Sequence, residues 1–167
     1  MSVRISAHDW VEGGITPDDA VVIARLFKQA GADLIDCSSG QVSKLEQPVY
    51  GRMFQAPFAD RVRNEAGIAS MAVGSIFEAD HANSIIAAGR ADLCAVGRPH
   101  LANPAWTLTE TARIGYSGAG AVTGAAWPKQ YRPGQQQLER NLQRERQLAA
   151  ANTGLTPQQV AARLLEG

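Results

Sequence analysis

Two short segments of this sequence combine residue types that commonly hold a phosphate group. Gly74 follows an apolar run typical of a β-strand, and Gly97 follows a second such run, with Arg98 beside it. Glycine lets backbone N–H groups approach an anion, and arginine can give it two parallel hydrogen bonds. A helix that follows such a turn adds its positive end. We therefore predict a phosphate site at Gly74, Gly97 and Arg98; the alternative is that each glycine serves only the geometry of its turn.

Arg4 is a further candidate because it interrupts an apolar strand pattern. A charged side chain within a sheet is costly unless an opposite charge lies close to it. Asp36, on the next predicted strand, is one candidate partner, and a bound anion is the other. The sequence leaves both alternatives open.

Other reactive side chains give weaker signals. His8, His81 and His100 lack the spacing of metal ligands. His8 follows the first predicted strand, where a ligand can be contacted, whereas His81 lies within a predicted helix and is expected on its surface. We interpret Cys37 and Cys94 as small buried hydrophobic residues. Because two cysteines are too few for a disulfide framework, we expect reduced thiols and a cytoplasmic protein.

The elements that position these residues follow a strand-helix repeat. Three times a helical pattern ends in glycine and an apolar strand follows, at Gly31, Gly67 and Gly89. Glycine after a helix adopts the left-handed conformation that closes the last turn. Strands are predicted at residues 3–7, 33–37, 69–73 and 93–96. In such βα units ligands bind at the loops that follow the carboxyl ends of the strands.

Four βα units amount to half of an eight-stranded barrel. Four parallel strands cannot close on themselves, and a parallel sheet needs both faces covered. We therefore favour an α/β fold in which residues 1–116 form the C-terminal half of a (β/α)8 TIM barrel, over a small open sheet. The last two strands would then be barrel strands seven and eight, a common place for phosphate. Residues 117–167 are expected to form a flexible connector and a helical C-terminal tail.

The charge balance and the hydropathy pattern argue against two classes of partner. The 167 residues include 16 basic and 16 acidic side chains, so the formal net charge is zero. Without a basic excess we expect no nucleic-acid partner. No apolar run approaches the roughly 18 residues that a membrane span needs, so we expect no membrane partner either.

Several motifs occur in order between residues 3 and 116. They are Val3-Arg4-Ile5-Ser6-Ala7, the run GADLIDCSSG at residues 31–40, QAPFA at 55–59, Ala72-Val73-Gly74, GRADL at 89–93 and Gly97-Arg98-Pro99. Together they resemble the old yellow enzyme family of FMN-dependent NAD(P)H oxidoreductases. The loop at residues 47–54 is similar to the oxidoreductase module of two-part salicylyl-CoA and anthraniloyl-CoA hydroxylases, in which a flavin hydroxylase precedes the barrel.

The resemblance implies FMN as cofactor and NAD(P)H as reductant. Arg4 would correspond to the arginine near the flavin N1–C2 carbonyl region, and Gly74, Gly97 and Arg98 to the phosphate grip. The implied substrate is a small molecule: an activated alkene, an enone or an aromatic CoA thioester. The family's substrate-binding donors lie in the first half of the barrel and have no counterpart here. We therefore expect an incomplete enzyme that needs the missing N-terminal half or a homo-oligomer, or alternatively a non-catalytic fragment or assembly module.

Overall fold

A four-stranded parallel sheet lies in the first of two compact units, Met1–Ala102. The computed structural model describes residues 1–115, 127–154, 156, 158 and 159. The α/β class and the parallel strands are confirmed, and no strand end differs from its prediction by more than one residue. In their spatial order the strands are β1 (Ser2–Ser6), β2 (Leu34–Ser38), β3 (Ala69–Val73) and β4 (Leu93–Ala95).

A helix follows each strand, as the repeat predicts. The helices of this unit are α1 (Pro17–Gln29), α2 (Ala56–Arg61), α3 (Ala79–Ala87) and α4 (Arg98–Ala102). α2 continues as a π-helical segment, Val62–Ala66. Gly31, Gly67 and Gly89 stand at the three joints with φ of 92°, 66° and 67°. The predicted left-handed closure of these helices is therefore confirmed.

The start of α1 is fixed by contacts between near neighbours in sequence. The Thr16 hydroxyl accepts a hydrogen bond from the Asp19 backbone N–H at 3.3 Å. The Asp19 carboxylate in return accepts one from the Thr16 backbone N–H at 2.9 Å. This reciprocal pair is a capping box, and Pro17 at the first helical position loses no intrahelical bond. The hydrogen bonds from Thr16 lower the pKa of Asp19.

The two faces of the sheet differ in burial. Side chains alternate between the faces along each strand. Ile35, Cys37 and Ala72 are fully buried in one cluster with side chains of α1 and α2. On the opposite face Met71 is half-buried, and its register partner Leu93 is 52% exposed. Within this unit, helices pack on one face of the parallel sheet and leave the other partly open.

The second compact unit, Asn103–Gly167, contains helices in its described residues. They are α5 (Trp106–Arg113), a short 3-10 turn (Lys129–Tyr131) and α6 (Arg132–Thr153). Leu142 and Ala150 of α6 are buried. Most of the predicted connector falls at residues 116–126, outside the described residues. Among the described helices, none is long and apolar enough to cross a membrane.

Asp92 joins β4 to β3 at the amino ends of the two strands. Its carboxylate accepts hydrogen bonds from the Ser70 backbone N–H at 2.9 Å and from Arg63 Nε at 3.1 Å. Its own backbone N–H donates to the Ser70 carbonyl at 2.9 Å. These contacts, above all the Ser70 N–H, lower the pKa of Asp92.

We expect Asp92→Asn to lower the free energy of unfolding at pH 7 by about 1 kcal/mol, since a partly exposed charged hydrogen bond is replaced by a weaker neutral one. Because the pKa of Asp92 is lower in the folded protein, its carboxylate contributes its full stabilisation above the unfolded pKa, which is roughly 3.9. This contribution is lost as the pH falls through the folded pKa. Urea unfolding at pH 7 and pH 3 should therefore show a difference that shrinks at pH 3. Glu12→Gln, in the exposed loop after β1, is the control; equal differences at both pH values would contradict the prediction.

The two cysteines differ in environment, and both are unpaired. Burial first, and the charge of Asp36 second, raise the pKa of the fully buried Cys37 thiol to about 12. Burial also raises the pKa of the half-buried Cys94. The interpretation of Cys37 as a buried core residue is confirmed, whereas Cys94 is only partly covered.

Because the thiolate is the reactive form, we expect Cys37 in a Cys94→Ala variant to react at least about tenfold more slowly than Cys94 in a Cys37→Ala variant. The measurement is the rate of reaction with an aromatic disulfide reagent at pH 8. In concentrated urea the two rates should converge. Equal rates in the folded proteins would show that Cys37 is accessible.

Candidate functional site

A cleft opens between the carboxyl ends of β3 and β4. Its volume is about 200 Å³, and residues 73–77, Ala95 and residues 97–99 line it. Gly74, Gly97 and Arg98 all belong to this lining. The structure therefore brings together the three residues that the sequence predicts for a phosphate site, because parallel neighbouring strands end at the same edge of the sheet.

The cleft offers hydrogen-bond donors and a positive charge. In the described part of the chain, no group accepts a hydrogen bond from the backbone N–H of Gly74, Ser75 or Gly97. Arg98 is exposed, and no described carboxylate forms an ion pair with it. The lining contains no acidic residue. This arrangement suits an anion, since unpaired N–H groups and a guanidinium both bind phosphate oxygens.

The two glycines of the cleft differ in their surroundings. Gly74 has a φ of +101°, and a Cβ there would lie 2.2 Å from Gln55 Nε2 and 3.0 Å from the Phe54 ring. Both the backbone conformation and the packing therefore exclude a side chain at this position. At Gly97 a Cβ would meet no atom within 4 Å. Local packing thus explains Gly74 but not Gly97.

Helix ends contribute less to the cleft than the sequence predicts. α4 begins at Arg98 but has only five residues, and α3 begins at Ala79, well after the Gly74 turn. A helix dipole grows with the number of aligned peptide units. Backbone N–H groups of the two turns and the Arg98 guanidinium are therefore the principal donors to an anion here.

Arg4 lies apart from the cleft, on β1. It is the register partner of Asp36, and Arg4 Nε is 2.6 Å from Asp36 Oδ2. The Arg4 side chain is 58% exposed and that of Asp36 only 9%. Of the two alternatives that the sequence leaves open, the structure contains the ion pair with Asp36. Asp36 Oδ1 is buried and has no hydrogen-bond partner among the described residues.

Hydrogen bonds link the loops after β1 and β2 to the end of β3, and sequence reasoning missed them. Trp10 Nε1 donates to Ser39 Oγ at 3.0 Å, and Ser39 Oγ donates to Gln55 Oε1 at 2.7 Å. Gln55 Nε2 then donates to the Val73 carbonyl at 3.1 Å. Gln55 is 5% exposed. Its sequence context gives no sign of this role, because its partners are distant in the chain.

His8 and His81 each contact neighbouring residues of the fold. The His8 ring stacks on Trp10 with centroids 4.4 Å apart, and its Nδ1 lies 3.1 Å from the Ile15 carbonyl. The prediction of a surface position for His81 is wrong: it is buried, and its Nδ1 accepts a hydrogen bond from the Phe77 backbone N–H at 3.3 Å. No group of three metal-ligating side chains occurs among the described residues.

Comparison with known proteins gives this geometry a family context. Residues 1–115 match the sequence model of the NADH:flavin oxidoreductase / NADH oxidase family. The chain belongs to this family. The resemblance to old yellow enzymes is thereby confirmed, and FMN and NAD(P)H are the cofactors of the family.

Relatives in this family of oxidoreductases include several bacterial NADPH dehydrogenases. The enzyme of Halalkalibacterium halodurans is 41% identical over 131 residues, which cover 78% of this chain and 36% of that protein. That of Listeria innocua is 42% identical over 65% of this chain and 34% of the relative. The enzyme of Geobacillus sp. WCH70 is 43% identical over 69% of this chain and 34% of that protein. The chain therefore spans about a third of the length of the curated relatives it matches.

The different environments of the two cleft glycines predict different responses to substitution. Gly74→Ala should lower the free energy of unfolding by about 1–3 kcal/mol, because it strains a positive φ and collides with Gln55. Gly97→Ala should change it by less than about 0.5 kcal/mol, since the added methyl group meets no neighbour. Denaturant unfolding of both variants beside the parent chain makes the comparison. Equal losses for the two would contradict the packing account.

Proposed function

We propose that this chain is the FMN-phosphate-binding part of an NAD(P)H-dependent oxidoreductase of the ene-reductase type. The observation that carries the proposal is the cleft between β3 and β4. Gly74, Ser75 and Gly97, whose backbone N–H groups have no acceptor among the described residues, line it together with Arg98. A phosphate there would receive charge-assisted hydrogen bonds without a competing carboxylate. The free space beside Gly97 supports the same assignment, because a ligand accounts for a glycine that local packing does not require.

Arg4 is proposed to contact the ring system of the flavin. Its Nε is held by Asp36, so the remaining guanidinium N–H groups stay available to a ligand on the partly open face of the sheet. A cation there would favour the reduced, anionic form of the isoalloxazine. FMN held there would supply hydride transfer from NAD(P)H to an activated alkene or enone. An aromatic CoA thioester is the substrate class suggested by the similarity of residues 47–54 to two-part hydroxylases.

The proposed enzyme is incomplete in this chain alone. We assign residues 1–116 to the C-terminal half of a (β/α)8 barrel and residues 117–167 to an appended connector and helical tail. The partly open sheet face and the edge strands β1 and β4 support this assignment. The groups that bind the substrate would come from an N-terminal half or from a second copy of the chain. The unpaired thiols fit a cytoplasmic location.

A non-catalytic assembly module is the second candidate. Leu93 on the edge strand β4 is 52% exposed and Leu101 in α4 is 85% exposed. Exposed apolar side chains beside an unpaired strand edge are typical of a surface that another polypeptide covers. This function requires no flavin.

Binding of FMN by the purified chain separates the two candidates. We expect quenching of flavin fluorescence that saturates at one FMN per chain, with weaker binding of riboflavin because it lacks the phosphate. Without the remaining wall of the site, oxidation of NADPH should not accelerate. If the chain binds neither flavin at millimolar protein concentration, the flavin proposal is wrong and the assembly module is favoured.

Arg98→Ala tests the phosphate assignment directly. A charged hydrogen bond contributes about 1.5–3 kcal/mol, so affinity for FMN should fall roughly tenfold to a hundredfold. Affinity for riboflavin should stay unchanged. Arg144→Ala, at an exposed position of α6, is the matched control and should leave both affinities at the parent values. A loss that is equal for the two flavins would rule out Arg98 as a phosphate ligand.

A further inference from the structure

We propose that Gln55 is a positioning residue that fixes the Gly74 turn and thereby gives the site its preference for a phosphorylated flavin. The inference deepens the proposed function and rests on it. Gln55 does not line the cleft; it lies behind the turn that does. Its effect on the ligand is therefore exerted through the backbone of residues 73–75.

Three hydrogen bonds connect Trp10 to the Val73 carbonyl through Ser39 and Gln55, and the donor and acceptor types of these groups fix the direction of each bond. An indole N–H can only donate, and a peptide carbonyl can only accept. Ser39 must therefore accept from Trp10 and donate to Gln55, which leaves the Gln55 amide nitrogen for the Val73 carbonyl. The side-chain amide of Gln55 has one orientation that satisfies all of its partners. Because it is 5% exposed, water cannot readily replace any of them.

The amide of Gln55 also limits where the backbone of Gly74 can go. A Cβ built on Gly74 lies 2.2 Å from Gln55 Nε2, so the amide packs directly against the glycine. The turn cannot move toward Gln55 without a collision. It cannot move away without breaking the bond to the Val73 carbonyl. The φ of +101° at Gly74 is thus held from two sides.

A second contact holds the other end of the same turn. The Met53 backbone N–H donates to the Ser75 carbonyl at 3.2 Å. Met53 and Ser75 both have a φ of 54°, a conformation that non-glycine residues rarely adopt. Strained backbone persists only where surrounding contacts over-determine it, and it is concentrated at ligand sites. Residues 53–55 therefore hold residues 73–75 at both ends of the turn and fix the backbone of a segment that lines the cleft.

FMN and riboflavin differ only in the terminal phosphate, so the ratio of their affinities reports the phosphate site alone. Gln55→Met keeps the approximate size of the side chain and removes both hydrogen bonds. We expect it to lower the affinity for FMN about tenfold and to leave that for riboflavin within twofold. The ratio of the two dissociation constants, measured by fluorescence quenching, is the readout. Gln29→Met, at an exposed position near the end of α1, should leave the ratio at the parent value.

Ser39 provides a milder second variant that keeps the test decisive if Gln55→Met does not fold. Ser39→Ala removes the donor to Gln55 and should lower the FMN-to-riboflavin preference in the same direction. Ser39→Thr retains the hydroxyl and should show the FMN-to-riboflavin preference of the parent chain. A role in stability alone would not produce this pattern of loss and rescue.

The outcomes distinguish this inference from the function on which it rests. If the parent chain shows no preference for FMN over riboflavin, both are overturned. If the parent prefers FMN and the Gln55 and Ser39 variants keep that preference, only the role of Gln55 is overturned. Equal losses of affinity for the two flavins would also overturn it, because Gln55 would then support the fold rather than the phosphate site.

Discussion

The contact between the Gln55 side-chain amide and the Gly74 backbone is the constraint on which the candidate site depends. It excludes any side chain at position 74, and it links the end of β3 to Ser39 and Trp10 after β2 and β1. The geometry of the turn after β3 is therefore set by the loops after β1 and β2. Such a site requires the parallel sheet, because the sheet brings those loops to one edge.

Features that depend on near neighbours in sequence could be predicted from the sequence. The Thr16 cap and the three glycine joints each involve residues a few positions apart, so their signals are local. The meeting of Gly74, Gly97 and Arg98 is non-local, yet it followed from topology. Once consecutive βα units are recognised, the carboxyl ends of neighbouring strands must adjoin, and residues placed there must share a surface.

Features that depend on packing between distant segments could not be predicted. His81 shares the buried face of α3 with Ile85, four residues later, and the sequence alone does not show which segments cover that face. Gln55 has the pattern of an ordinary polar residue until its partners are known.

The expected helix dipole after β4 is weak because α4 ends at Ala102, where Asn103 precedes Pro104. A residue before proline is disfavoured in the helical conformation, a signal that was present in the sequence.

The ion pair of Arg4 and Asp36 limits which chemical groups could cover the partly open face of the sheet. Asp36 Oδ1 is buried without a partner among the described residues, and Arg4 is bound through Nε alone and is mostly exposed. A layer of aliphatic side chains over this face would bury the guanidinium and leave the carboxylate oxygen unsatisfied, which is strongly unfavourable. A covering element or ligand that brings a donor to Asp36 and an acceptor to Arg4 would satisfy both groups. The face is therefore suited to polar contents, as in a barrel that encloses a ligand, rather than to a purely hydrophobic interface.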